Sequence, residues 1–309
     1  MRAMTTSTDT VDIADVALAA EAIRPYVRRT PLLDARVDGR RVLLKLEQLQ
    51  LSGSFKLRGA LNTLLGGARP AHVVTASGGN HGLGVATAAA LLGLPATVFV
   101  PTSVPAGKAR RIEATGARLV RHGATYAEAA AAATEAARLA GHRYVPAYDD
   151  PAVIAGQGTV AAEIVADVPE VDAVAVAVGG GGLAAGTALA VGGRTTVAVE
   201  PQDCRCLADA LAAGRPVDSP VRSVAASALG ATRVGDLPFA ILQRRPVESV
   251  LVSDAELLAA RDLLWEEFRV AAEPGAAAPF AAWIAGRVPG RLPAVVICGA
   301  NTDWFPDPA

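Results

Sequence analysis

Sulfur, aromatic rings and net charge are all scarce in this 309-residue chain. It has three cysteines, Cys204, Cys206 and Cys298. An odd, sparse set is no disulfide framework, so a reducing cytoplasmic setting is expected. The formal charge is −1, from 29 basic and 30 acidic side chains. That balance gives no reason for a nucleic-acid or membrane-surface partner. Charged residues make up only 19% and apolar ones 51%, which excludes a disordered chain and allows a sizeable core. The polar start, "MRAMTTSTDT", lacks the apolar stretch of a signal peptide. No linker of Pro or Ser, charge block or internal repeat divides the chain. One uncharged run, residues 173–193, is long enough to cross a bilayer, but four consecutive glycines at its centre would break the helix that a bilayer demands. A buried strand, a glycine loop and a buried helix are expected there.

What is present is alternation. Strands are expected at Arg41–Gln48, His72–Ser77, Ala96–Pro101, Ala117–Gly123, Val171–Gly179, Thr195–Pro201 and Ala294–Ala300. Helical stretches at Gly82–Gly93, Tyr126–Gly141 and Asp254–Phe268 lie between them, the last with Ser253 as N-cap. Such alternation means βαβ units, parallel sheets and helices on both faces. Ligands then sit beyond the carboxyl ends of strands.

Three loops at such ends carry unusual residues. "SGGNHG", Ser77 to Gly82, combines a flexible backbone with a helix start, a cradle for a carboxylate, and Asn80 and His81 add polar reach. "GGGG", Gly179 to Gly182, offers backbone N–H donors to a phosphate. "CGAN", Cys298 to Asn301, holds a thiol that is either inert packing or a weak partner for a ring nitrogen. Two readings of the glycine loop stand. Strand, glycines, helix and a strand closing at Glu200 imitate a dinucleotide site and an NAD-dependent dehydrogenase, although an alanine takes the third glycine place. Ahead of these loops, "SGSFKLRGA" sets Lys56 between a tight turn and a helix-like continuation; alone, it reads as a surface lysine.

Taken together, the chain from about Arg29 to Asn301 resembles the serine/threonine dehydratase family, pyridoxal-phosphate enzymes of fold type II. "SGSFKLRGA", "SGGNHG", "VIAGQGTVAAEI", "GGGGLAAG", "VEP", "AAEPGAAA" and "CGAN" follow in the family's order. The resemblance implies two domains, each with a mainly parallel sheet flanked by helices. Residues 52–146 would form a small substrate-binding domain, inserted into a large cofactor-binding domain of residues 1–51 and 147–309. It further implies that Lys56 forms the Schiff base and removes the α-proton, and that Phe55 packs on the pyridine ring. Asn80 would bond the cofactor's 3′ oxygen, Gly179, Gly180, Gly181 and Gly182 would cradle its phosphate, and Cys298 would face its ring nitrogen. Ser77, Gly78, Gly79, Asn80 and His81 would hold the substrate carboxylate. Relatives are commonly dimers, so a homodimer is expected.

The expected reaction is β-elimination of water from a β-hydroxy-α-amino acid, L-threonine or L-serine, giving a 2-oxo acid and ammonia. Rivals within the class are a hydroxyaspartate or aryl-serine dehydratase, a racemase and a β-replacement synthase. From outside it come the dehydrogenase and a cofactor-binding protein without catalysis. The sequence departs from relatives at three places. Racemases of the family carry a serine where Gly78 stands, so one-sided elimination is favoured. Some relatives bind Mg²⁺ or Ca²⁺ through a Glu, matched by Glu200, and an Asp, replaced by Cys206, a poor ligand for hard cations. The sequence also stops soon after "CGAN", so a C-terminal regulatory domain is not expected.

Overall fold

Short buried strands and Ala-rich helices alternate through residues 11–304, the part of the chain described by a computed structural model. The polar stretch at the start lies outside those residues. The chain first runs through α1 (Ile13–Ile23), β1 (Leu32–Val37), β2 (Arg40–Lys45), α2 (Lys56–Leu65), β3 (His72–Ala76) and α3 (Asn80–Leu91). Next come β4 (Ala96–Val100), α4 (Ala106–Glu113), β5 (Arg118–Arg121), α5 (Tyr126–Ala136), β6 (His142–Tyr144) and α6 (Pro151–Asp167). Then follow β7 (Ala173–Ala177), α7 (Gly182–Ala190), β8 (Thr195–Pro201), α8 (Cys206–Ala213), α9 (Ala226–Leu229) and α10 (Asp236–Leu242). The last elements are β9 (Val247–Val252), α11 (Asp254–Phe268), α12 (Pro274–Ile284) and β10 (Pro293–Val296).

The strands form two sheets. One has six strands in the order β1-β2-β10-β7-β8-β9, parallel except for the β1/β2 hairpin. The other has four parallel strands, β5-β4-β3-β6. The central strand β7, "AVAVA", is buried at every position, as a parallel strand with helices on both faces must be. The uncharged run at 173–193 resolves into β7, the glycine loop and α7, and no described helix is long and apolar enough to cross a membrane.

Three strands escape a reading by apolar runs: β1, β6 and β9. Each lies at an edge of its sheet, where half the side chains meet solvent and no continuous apolar run is needed. The other end of the small sheet, β5, is shorter than its apolar stretch suggests.

Helix α6 holds the two halves together. A Cβ on its Gly156 would lie 2.6 Å from Gly59 Cα of α2, and one on Gly186 of α7 would lie 2.5 Å from Gly158 N. Backbones can approach so closely only where no side chain intervenes, and that accounts for the glycines in "IAGQGT", "RGA" and "LAAG". Helix α1 divides its apolar face: Val16 and Ala19 join the large core, and Ile23 joins the cluster packed under the small sheet.

Candidate active site

Lys56 opens α2. An antiparallel bridge between Ser54 and Gly299 pins the preceding turn against the segment after β10, and the Phe55 N–H donates to the Cys298 carbonyl at 3.1 Å. The Lys56 ammonium donates to the carbonyl of Ala147 at 2.7 Å and lies 5.2 Å from the centre of the Phe55 ring. Burial pushes its pKa down to about 8, only partly opposed by the Cys298 thiol nearby. This lysine can therefore be neutral at a pH at which a surface lysine cannot.

Two residues on, Arg58 fastens the helix. Its guanidinium, fully buried, bonds both oxygens of Glu47 at 2.7 and 2.8 Å and both of Glu163 at 2.8 and 3.0 Å. Lys45 completes the set, bonding Glu163 at 2.6 Å and the Thr30 carbonyl at 2.8 Å. Two cations and two anions balance, as burial requires.

The "SGGNHG" segment is shorter as a loop than the sequence suggests, because Asn80 and His81 belong to the first turn of α3. No side chain caps that helix, so the first N–H groups, from Asn80 to Gly82, have no capping partner. Ser77 Oγ accepts the Gly79 N–H at 3.1 Å. The His81 ring turns inward: Nε2 sits 2.8 Å from Thr75 Oγ1 and 3.0 Å from the Val145 carbonyl. Burial, with Lys56 nearby, pulls its pKa down to about 3, so it is neutral. Asn80 is held at both ends, its amide nitrogen on Glu273 Oε1 and its oxygen accepting from Asn301 Nδ2 at 2.6 Å. Burial raises the Glu273 carboxyl above its ordinary range, and raises the Cys298 thiol, so that thiol stays protonated.

The glycine loop follows β7. Gly181 is the N-cap of α7 at φ +94°, a conformation L side chains rarely adopt, and no side chain caps the helix. A Cβ on Gly180 would fall 2.2 Å from Tyr148 Cδ1, so that aromatic ring covers the loop. Glu200 is buried and accepts the Leu207 and Ala208 N–H groups at 2.8 Å, one on each oxygen. It therefore serves the start of α8 and presents no free carboxylate to a ribose. Cys206 Sγ donates to the Gly179 carbonyl at 3.2 Å, and burial pushes its pKa up to about 12. No group of three His, Cys, Asp or Glu able to hold a metal ion occurs among the described residues.

A family model described as pyridoxal-phosphate dependent enzyme matches residues 23–299. The chain belongs to that family. The enzyme is 35% identical to the L-threonine ammonia-lyase of Thermotoga maritima over 306 residues, 95% of this chain and 76% of the relative. It is 38% identical to the biosynthetic L-threonine dehydratase of Escherichia coli over 283 residues, 88% of this chain but only 55% of that protein. A crystal structure of the T.th. threonine deaminase superposes with a TM-score of 0.90 at 36% identity, covering 96% of this chain and 100% of that one. The cofactor is pyridoxal phosphate, and the imitation of a dinucleotide site is set aside.

The residues fit that cofactor. The glycine loop is a cradle that any Cβ would fill, Lys56 is a half-buried amine of lowered pKa, and Cys298 is a neutral thiol beside it. Reasoning from sequence missed the Ala147 carbonyl, Tyr148, Glu273 and Asn301. The last two stand within quoted motifs, "AAEPGAAA" and "CGAN", but only the fold brings them to Asn80. Nothing near Ala147 or Tyr148 in sequence marks them.

Proposed function

We propose that the enzyme eliminates water from a β-hydroxy-α-amino acid, L-threonine or L-serine, and releases a 2-oxo acid and ammonia. The observation that carries this reading is one-sidedness. Lys56 is a half-buried amine with a pKa of about 8, and Gly78, the place of a second acid/base in racemases of the family, has no proton to give. The threonine ammonia-lyase and dehydratase named above support the same reaction.

When bound, pyridoxal phosphate supplies the electron sink for α-proton loss. The protein's own residues do the rest. Lys56 Nζ would hold the cofactor's aldehyde and would take the α-proton. Phe55 would pack against the ring, Asn80 would bond the 3′ oxygen, and Gly179 to Gly182 would hold the phosphate with backbone N–H groups. Cys298 would face the ring nitrogen as a neutral thiol. Ser77, Gly78, Gly79 and Asn80 receive the substrate carboxylate at the uncapped start of α3, where His81 contributes its backbone N–H.

Residues 52–146 act as a substrate domain against residues 1–51 and 147–309. The four-stranded sheet inside the first range supports that division, and Ile23, packed under it, ties α1 to both parts. The assembly we propose is a homodimer, supported by Leu49 and Leu51, both exposed on the turn before Lys56. Three buried free thiols support a cytoplasmic setting.

The test is a 2-oxo acid and ammonia assay with L-threonine and L-serine, alongside chiral chromatography of the remaining substrate. Equal release of both products supports the reading. Racemised substrate without 2-oxo acid overturns it.

A further inference from the structure

Three of the four tyrosines in the chain, Tyr126, Tyr144 and Tyr148, line one cleft of about 270 Å³. The cleft also touches Ala147, Asp149, Arg233 and Asp236. Such gathering is notable in a chain with only 4% aromatic residues. The cleft meets the proposed site twice. Its Ala147 carbonyl takes the Lys56 ammonium at 2.7 Å, and its Tyr148 ring covers Gly180 of the glycine loop.

The lining sets three tyrosines beside the charged Asp149, Arg233 and Asp236, with Arg233 turned towards Asp218 at 3.5 Å. Burial pushes Tyr144 and Tyr148 up to about 12, so both phenols keep their protons. The Tyr148 hydroxyl reaches only the Arg233 carbonyl, at 3.5 Å, too long for a strong bond, so it has hydrogen-bonding capacity left. Asp149 is no anchor for a cationic ligand, because its oxygens already accept the Asp236 and Leu237 N–H groups. A volume near 300 Å³ is at the lower end for organic ligands, suited to a single ring rather than a larger molecule. Ring-on-ring contact adds about 0.5–1.5 kcal/mol beyond buried area.

We propose that this cleft receives the β-substituent of the substrate and that the enzyme accepts β-aryl-β-hydroxy-α-amino acids, with Tyr148 and Tyr126 as specificity-determining residues. The proposal rests on the dehydratase reading above. The substrate carboxylate is directed to Ser77–Gly79 and its amine to Lys56, which leaves the side of Lys56 marked by Ala147 and Tyr148 for the remaining substituent. With β-phenylserine the α-C–H and β-C–O bonds break and water leaves. Hydrolysis of the released enamine then takes up one water and frees ammonia. The products are phenylpyruvate and ammonia, and no external oxidant or reductant is needed.

The experiment compares L-threonine with L-threo-β-phenylserine on the cofactor-loaded wild type, Tyr148→Leu and Tyr126→Ala. We expect phenylpyruvate from the wild type with kcat/KM within about tenfold of threonine, a loss of about tenfold or more for phenylserine alone in Tyr126→Ala, mainly as a raised KM, and in Tyr148→Leu, whose ring also covers the glycine loop, a larger loss for phenylserine than for threonine. Tyr126 is 54% exposed, so its removal leaves the core intact if Tyr148→Leu fails to fold. A binding readout accompanies turnover. L-Phenylalanine, which has no hydroxyl to lose, should raise the melting temperature of the wild type more than L-2-aminobutyrate does, and this difference should shrink in Tyr126→Ala. Turnover of threonine with none of phenylserine and no stabilisation by phenylalanine overturns the aryl cleft and spares the dehydratase reading. Absence of 2-oxo acid from every β-hydroxy amino acid overturns both.

Discussion

A Cβ placed on Gly78 would lie 2.6 Å from Cγ2 of Val104. The residue is thus more than a missing serine: a valine methyl already fills the space next to it. Gly78→Ser should therefore lose activity without gaining racemisation, because overpacking of this kind costs about 1–3 kcal/mol. Val104→Ala in the same chain should restore part of the dehydratase activity, a coupling between neighbours that a double-mutant cycle reads directly. Chiral chromatography with a 2-oxo acid assay checks both. A single Gly78→Ser variant that racemises serine efficiently contradicts the steric account.

Lys56→Met should abolish turnover and the visible absorbance of the bound cofactor. It should also change how the cofactor-free protein responds to pH. The folded pKa of Lys56 is about 8 against an ordinary 10.5, so between those values the unfolded chain binds more protons. Stability of the cofactor-free wild type should therefore gain a contribution as pH rises from about 8 towards 10.5, and Lys56→Met should lack it. Melting temperatures across that range, wild type against variant, give the answer.

Arg58→Met removes a buried cation that bonds the buried Glu47 and the partly buried Glu163. Glu163 keeps Lys45, but leaving Glu47 without its cation should cost about 3–5 kcal/mol, measured by urea unfolding. Burial raises the Glu47 carboxyl, but Arg58 and Thr30 more than offset it, so its pKa lies below the ordinary 4.5. A depressed carboxyl contributes stability above its unfolded pKa and loses it as pH falls through the folded one. That acid-side loss should be weaker in Arg58→Met. An unchanged unfolding midpoint would show that the ion cluster is energetically idle.

Cation dependence is the fourth expectation. Both Glu200 oxygens are bonded to α8, and Cys206 is a neutral thiol turned to the Gly179 carbonyl. Chelation with EDTA, or addition of Ca²⁺ or Mg²⁺, should leave the melting temperature and activity of the wild type unchanged. Cys206→Asp should create a hard-oxygen partner for Glu200 and a melting temperature that rises with Ca²⁺. A clear Ca²⁺ response in the wild type would show that the thiol is no barrier.

Much of this enzyme is legible in its residue order. Central strands such as Ala173–Ala177 must be buried on both faces and so read as unbroken apolar runs, and Ser253 does cap Asp254–Phe268. The reactive segments are also legible, but only together: the lysine alone reads as a surface charge and the glycine loop alone fits two cofactors, and their order along one chain leaves a single reading. The edge strands are not, since half of each faces water and local pattern alone cannot separate them from loops.

What the sequence determined by itself is the class of cofactor chemistry, carried by short contiguous motifs whose backbone does the binding. What only the tertiary structure decided is the surroundings of those motifs. Asn80 meets Glu273 and Asn301 from 193 and 221 positions away, Lys56 meets Ala147 from 91, and Tyr148 covers Gly180. Contacts across such separations leave no periodic trace, because they depend on which strand lies beside which in the folded sheets.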